Sequence, residues 1–226
     1  GFSNTQLPVW QKEKVKAWVS YFKDHPAVFA WDISNEDGEN LPNGAGNPLW
    51  PQKTSITLAQ LNEAHATVRE VDTSKPILVR MHYWDESPNP FAHGNWFAEG
   101  IADIVMLNIY TNYAEDSKTL NIPNAIAEDG LRHINDVRKV DADPQIWIAV
   151  AAFAEDLPGE GYFLRPSAND LSRDIKETFK LPGISGIGFL GWGPNEYNPP
   201  YWYLPRDGKD LWQVIKTEIK NYNPQK

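Results

Sequence analysis

Glu36 closes the stretch "WDISNE", residues 31 to 36, where a short apolar run meets a loop. A carboxyl at such a lip is either an ordinary solvated loop glutamate or a proton donor aimed into a cleft. As a donor near neutral pH it needs burial or a neighbouring carboxylate to raise its pKa, and a second carboxylate to share the chemistry. Asn35 beside it either hydrogen-bonds a ligand hydroxyl or turns the chain by bonding its own backbone. His82, Trp84, Tyr110 and Trp192 also follow apolar runs. His82 is either a donor to a ligand or a satisfied structural histidine, and Tyr110 either holds a polar group or packs half-buried. Trp192, Trp84, Trp96 and Trp202 are candidate stacking surfaces, whereas Trp10, Trp18 and Trp212 on helix patterns and Trp31 and Trp147 within strands are expected in the core.

Bulk composition narrows the chemistry. The chain has 226 residues, enough for one sizeable core or two small ones. Hydrophobic residues make up 41% and charged ones 23%, a globular composition. A formal charge of −9 argues against a nucleic-acid partner. No apolar run approaches the roughly 20 residues of a membrane span, so no membrane partner is expected. No leader peptide is visible, but a mature secreted or periplasmic protein would also lack one. With no cysteine, disulfides, thiolate metal sites and cysteine nucleophiles are excluded. The histidines show no metal spacing such as HExxH, and neither a metal nor another cofactor is expected. Ten Trp, nine Tyr and nine Phe suit a surface that stacks on flat apolar partners, of which sugar rings are one kind.

These residues need elements to hold them. Val15, Trp18, Val19 and Phe22 recur at helical spacing over Val9 to Asp24, and Pro26 ends that helix. Strands are expected at Ala27 to Ser34, Pro76 to Met81, Asp103 to Ile109, Gln145 to Phe153 and Ile184 to Leu190. Helices are expected at Thr57 to Val71, Ile122 to Val140, Ser167 to Leu181 with an N-cap at Ser167, and Asp207 to Tyr222. Residues 37 to 52 and 193 to 206 read as long loops, the latter carrying Glu196. Strands apolar on both faces, alternating with helices, indicate a parallel sheet in an α/β domain. Neither GxGxxG nor GxxxxGK[ST] follows any strand, which disfavours nucleotide binding. Polar and aromatic residues gathered after several strands are what a (β/α)8 barrel offers. Asp32 and Arg80, inside adjacent strands, are expected to pair with each other in the barrel interior, because a lone charge there is costly.

The ordered strand endings carry a resemblance. "WDISNE", "RMHYW", "DIVMLNIY", "QIWIAVAAF" and "GIGFLGW" resemble strands four to eight of the retaining glycoside hydrolases built on TIM barrels, among them cellulases, β-mannanases and β-galactosidases. The likeness runs over nearly the whole chain, residues 1 to 226, but over the C-terminal part of a single catalytic barrel only. It implies that strands one to three lie outside this chain, and that a companion chain completes the barrel if this is one part of a split enzyme. An open α/β sheet standing alone would need its edges covered.

The resemblance also implies roles. Glu36 is the acid/base, and Asn35 binds a sugar hydroxyl beside the scissile bond. The nucleophile glutamate belongs at the end of strand seven, yet "AVAAFAED" puts Ala152 there. Three readings stand. Ala152 replaces a nucleophile by engineering, Glu155 serves from a strand end shifted by three residues, or the chain is an inactive homologue that only binds sugar. The expected substrate is a β-linked oligosaccharide or polysaccharide, cleaved by double displacement when the nucleophile is present. Tyr110 holds that nucleophile or a hydroxyl, His82 donates to the substrate, and Trp192 stacks under the central sugar with Trp84 extending the cleft.

Overall fold

The computed structural model describes residues 9–35, 58–82, 97–114, 125–153, 155–157, 161–163, 165–191 and 208–222. The elements are α1 (Val9–Phe22), β1 (Trp31–Asn35), α2 (Leu58–Arg69), β2 (Ile77–His82), β3 (Ile104–Ile109), β4 (Tyr113–Ala114) and α3 (Ala125–Val140). They continue as β5 (Gln145–Ala151), β6 (Glu155–Leu157), β7 (Gly161–Phe163), α4 (Ala168–Lys180), β8 (Ile184–Leu190) and α5 (Lys209–Asn221). Five strands form one sheet in the order β1-β2-β3-β5-β8, which is their order along the chain. The β1/β2 and β2/β3 pairs are parallel, and α2 makes the crossover from β1 to β2. The five expected strands are therefore the five strands of this sheet. The chain divides into two compact units, residues 1–108 with 135–146 and residues 109–134 with 147–226.

In the first unit, Val19, Val68 and Ile77 form a buried cluster against which Val15, Trp31, Ile33 and Val71 pack. Lys12 pairs with Glu63, and Lys16 with Glu70 at 2.6 Å, tying α1 to α2. Trp18 departs from its expected place in the core, being 66% exposed. At about 100° per residue, Val15 and Val19 take the sheet side of α1 and Trp18 falls on its flank. Apolar periodicity located the stripe but not its edge. The first strand also starts later than Ala27. Ala27 N–H donates to His25 Nδ1 at 3.1 Å and Val28 N–H to the His25 carbonyl at 3.0 Å, so the chain is still turning after Pro26. Ladder pairing begins where Trp31 N–H reaches the Pro76 carbonyl at 2.9 Å.

Carboxylates staple the entries to the strands of this unit. Asp72, only 4% exposed, accepts from the Trp31 indole N–H, the Ser74 N–H and hydroxyl, and the Lys75 N–H. Asp103 accepts from Ile77 N–H at 2.6 Å and from Arg69. Asp141 accepts from Gly100 N–H at 2.8 Å and Asp143 N–H at 2.9 Å. Backbone donors at strand starts would otherwise lie partly buried without an acceptor, which is costly.

In the second unit, Leu171, Ile175, Leu211 and Ile215 are buried faces of α4 and α5. Ser167 caps α4 as expected: its hydroxyl accepts from Asp170 N–H, and the Asp170 carboxylate reaches back to the Ser167 N–H. Trp147 on β5 lies against Gly186 on β8, where an added Cβ would sit 2.5 Å from the indole. Three short antiparallel strands form a further sheet, β4-β7-β6, that the sequence pattern did not announce. Pro158-Gly159 between β6 and β7 is a turn dipeptide that would have pointed to it. Among the described residues, no helix is long and apolar enough to cross a membrane.

Candidate functional site

Strand β1 ends in an irregularity. Asp32 is opposite Leu78, whereas Asn35 is opposite Arg80, so three steps on β1 match two on β2. This is a bulge, which bends a strand and re-aims its final residues. Buried Ser34 fills the gap, its hydroxyl accepting from Arg80 N–H at 3.2 Å. Diagonally across this irregularity, the Arg80 guanidinium donates to the Asp32 carboxylate, the ion pair expected from sequence. Both side chains are about one-third exposed, 29% for Arg80 and 34% for Asp32, so the pair is less enclosed than an interior pair would be. Asn35 is the last residue of β1 and His82 the last of β2, opposite Asn108 on β3. The placements of Glu36, Trp84, Trp96, Trp192, Glu196 and Trp202 lie outside the described residues, as do the side chains of Trp10, Asn35 and His82.

The second unit holds Tyr110 and Ala152. Tyr110 follows β3 directly and stands half-buried, its ring edge-on to Phe153 with centroids 5.7 Å apart. Asn112 Nδ2 donates to the Phe153 carbonyl at 3.0 Å. Ala152, fully buried, sits just beyond β5, and its N–H still reaches the Leu190 carbonyl on β8 at 2.9 Å. Gly191 follows with φ of +121°, and a Cβ there would lie 2.7 Å from the Ala152 carbonyl oxygen. Only glycine combines that backbone angle with that approach. Of the sequence candidates, Tyr110 packs on Phe153, the residue after Ala152, while Glu155 opens β6 opposite Phe163.

Behind the Tyr110 turn is a contact that no sequence pattern announced. Thr111, 5% exposed, donates its hydroxyl to Asp174 on α4, itself 3% exposed. Arg173 pairs with the other oxygen of Asp174 at 3.0 Å. Burial raises the Asp174 pKa above the usual carboxylate value, against the opposing pull of Thr111 and Arg173. Asp72 in the first unit behaves in the opposite way. Its burial alone would push the carboxyl up, but the hydrogen bonds from Ser74, Trp31 and Lys75 hold it well below the usual range. His65, on α2, is held below the ordinary histidine value, first by burial and then by Arg69.

No family model and no curated protein sequence matches the chain. Solved structures do match it. A beta-glucuronidase from Faecalibacterium prausnitzii superposes with a TM-score of 0.59 at 14% identity, covering 93% of this chain and 34% of its own. A GH2 beta-galacturonidase from Eisenbergiella tayi, bound to galacturonate, gives 0.56 at 15% identity, covering 94% and 36%. A beta-galactosidase from the psychrophilic Marinomonas ef1 gives 0.55 at 12% identity, covering 94% and 43%. The likeness is one of fold. The chain has the α/β fold of these glycoside hydrolases and spans about a third to two-fifths of these neighbours' length.

Proposed function

We propose that the chain is the C-terminal part of a retaining β-glycosidase barrel whose acid/base is Glu36 and whose nucleophile position is residue 152. One observation carries the reading. Residue 152 is the first after β5, fully buried at the close approach of Gly191 and next to Phe153, on which Tyr110 packs, in a fold shared with β-glycosidases. Glu155 begins a separate strand opposite Phe163, which favours residue 152 over a shifted nucleophile. In the proposed reaction Glu36 protonates the departing oxygen while a carboxylate at 152 attacks the anomeric carbon. Water then releases the sugar with Glu36 as base, the two carboxyl groups standing about 5–5.5 Å apart. With alanine at 152 the attacking group is absent, and the chain as it stands retains sugar binding without turnover. Asn35, His82, Tyr110, Trp84 and Trp192 are assigned to the substrate.

The methyl of Ala152 also supports a second reading, in which the barrel evolved to bind sugar without cleaving it: the residue is fully buried, with no carboxylate in its place. One experiment separates the two. Ala152→Glu is introduced in the complete gene product and assayed on aryl β-glucuronides, β-galactosides, β-glucosides and β-mannosides, and on β-glucans and mannans. The enzyme reading expects hydrolysis about a thousandfold or more above the parent, abolished by Glu36→Gln in the same background. Calorimetric binding of an oligosaccharide with no turnover on any of these substrates would establish the binding reading instead.

A further inference from the structure

Past Tyr110, the chain leaving β3 commits two further side chains to fixed partners in the same unit. Asn112, buried, donates from Nδ2 to the Phe153 carbonyl at 3.0 Å. Tyr110, two residues earlier, sets its ring edge-on to the Phe153 ring. Thr111 between them turns to α4 and donates to the buried Asp174 carboxylate, whose other oxygen accepts from Arg173. This is the alternation of extended backbone, with residues i and i+2 on one side and i+1 on the other. Phe153 is also closed off by Gly191, where a Cβ would lie 3.0 Å from the Phe153 Cβ. Ala152 N–H bonds the Leu190 carbonyl, so backbone bonds flank the peptide that joins residues 152 and 153. A buried carboxylate and amide are a costly way to fill space, and apolar side chains of the same shape are often at least as stabilising. What polar ties add is direction, because a hydrogen bond fixes an angle as well as a distance.

We propose that Asn112, Thr111 and Asp174 are positioning residues that fix Tyr110 relative to residue 152. Asn112 holds the chain leaving β3 to the chain leaving β5. The Thr111–Asp174 bond keeps residue 111 on α4, so that Tyr110 cannot rotate off Phe153. None of the three is assigned a sugar contact; they act through Tyr110 and the Phe153 backbone. The inference rests on the reading of residue 152 as the nucleophile position with Tyr110 at the substrate. It deepens that reading by naming residues whose loss changes turnover while the acid, the nucleophile and the sugar contacts all stay in place. The competing use of the same bonds is to anchor α4 for stability alone, and that use leaves Tyr110 indifferent to them.

Two measurements on the complete gene product decide it. The first needs no turnover: with isotope-labelled tyrosine rings, the Tyr110 resonances are identified by their loss in Tyr110→Phe. Thr111→Val and Asn112→Leu keep the shape and remove the donor, and each should abolish the shift that the Phe153 ring imposes on Tyr110. Thr111→Ser and Asp174→Asn, which keep a donor and an acceptor, should preserve it. Where a single variant fails to fold, Thr111→Val/Asp174→Leu replaces both partners by apolar groups and leaves neither unsatisfied. The second measurement is made in the Ala152→Glu background on an aryl β-glycoside. There Thr111→Val should lower kcat about tenfold to a hundredfold with KM within about twofold, and Thr111→Ser should recover most of the loss. Unmoved Tyr110 resonances in the folded donor-less variants overturn the inference, as does an unchanged kcat in an active parent. If Ala152→Glu is inactive, the nucleophile reading fails by itself, and the resonances alone decide whether these bonds hold Tyr110.

Discussion

Strand β1 leaves the sheet through a bulge, a serine plug and a partly exposed ion pair, whereas β5 leaves it through a seam of close backbone contacts. At the end of β1, Ser34 completes the ladder with a side chain, and Arg80 and Asp32 pair where water reaches both. At the end of β5, Ala152 bonds to Leu190, and Gly191 approaches so closely that a Cβ has no room. In the proposed mechanism the first lip carries the proton donor, whose pKa must respond to the substrate, and the second carries the position that must attack along a fixed line. A bulged lip tolerates adjustment; a close-packed seam does not. The same contrast appears in the buried carboxylates. Asp72 in the first unit is held ionised by hydrogen bonds, and Asp174 in the second is pushed toward its protonated form by burial.

The contrast can be broken most sharply at Gly191. Gly191→Ala must both strain a φ of +121° and displace the Ala152 carbonyl. A loss of about 3 kcal/mol is expected, seen as a fall in the thermal midpoint of about 6–12 °C. A change below about 1 kcal/mol would remove the seam from the account.

Asp72 and Asp174 offer a pH test of opposite signs. The lowered pKa of Asp72 gives stability that is full above the ordinary carboxylate value and is lost as pH falls through its folded value. Asp72→Asn should therefore cost about 1–3 kcal/mol at pH 7 and less at pH 3 by denaturant titration. For Asp174 the raised pKa makes the folded state most favourable below the ordinary value, and stability is lost as pH rises through the folded value. Asp174→Asn, which keeps an acceptor for Thr111, should gain on the parent between pH 4 and pH 7. Parallel pH trends for the two variants would erase the distinction between the units. The smallest effect belongs to Asp32→Asn: the pair is partly exposed, so the loss should stay within about 1 kcal/mol in the same titration.

Much of the framework was legible because its signals are local. Strands such as β3 and β5 are buried along nearly their whole length, so their apolar runs announce a doubly covered sheet. The Ser167 cap and the Asp32–Arg80 pair follow from residue type and neighbouring strands. Trp18 was misplaced because periodicity does not say how wide a buried stripe is. The sheet of β4, β6 and β7 escaped because strands of two or three residues carry too little pattern. For the candidate site, residue 152 was visible only through the order of strand endings. The Thr111–Asp174 contact spans 63 positions, and no single sequence displays such a pairing.

In the proposed mechanism Glu36 and residue 152 are the two halves of one carboxylate pair. A crystal structure of the Ala152→Glu variant in the complete gene product measures this directly. The account predicts carboxyl groups about 5–5.5 Å apart across a sugar-sized cleft. A separation of about 6.5–9.5 Å would place the protein among inverting enzymes, and carboxylates directed to different surfaces would contradict the pairing itself.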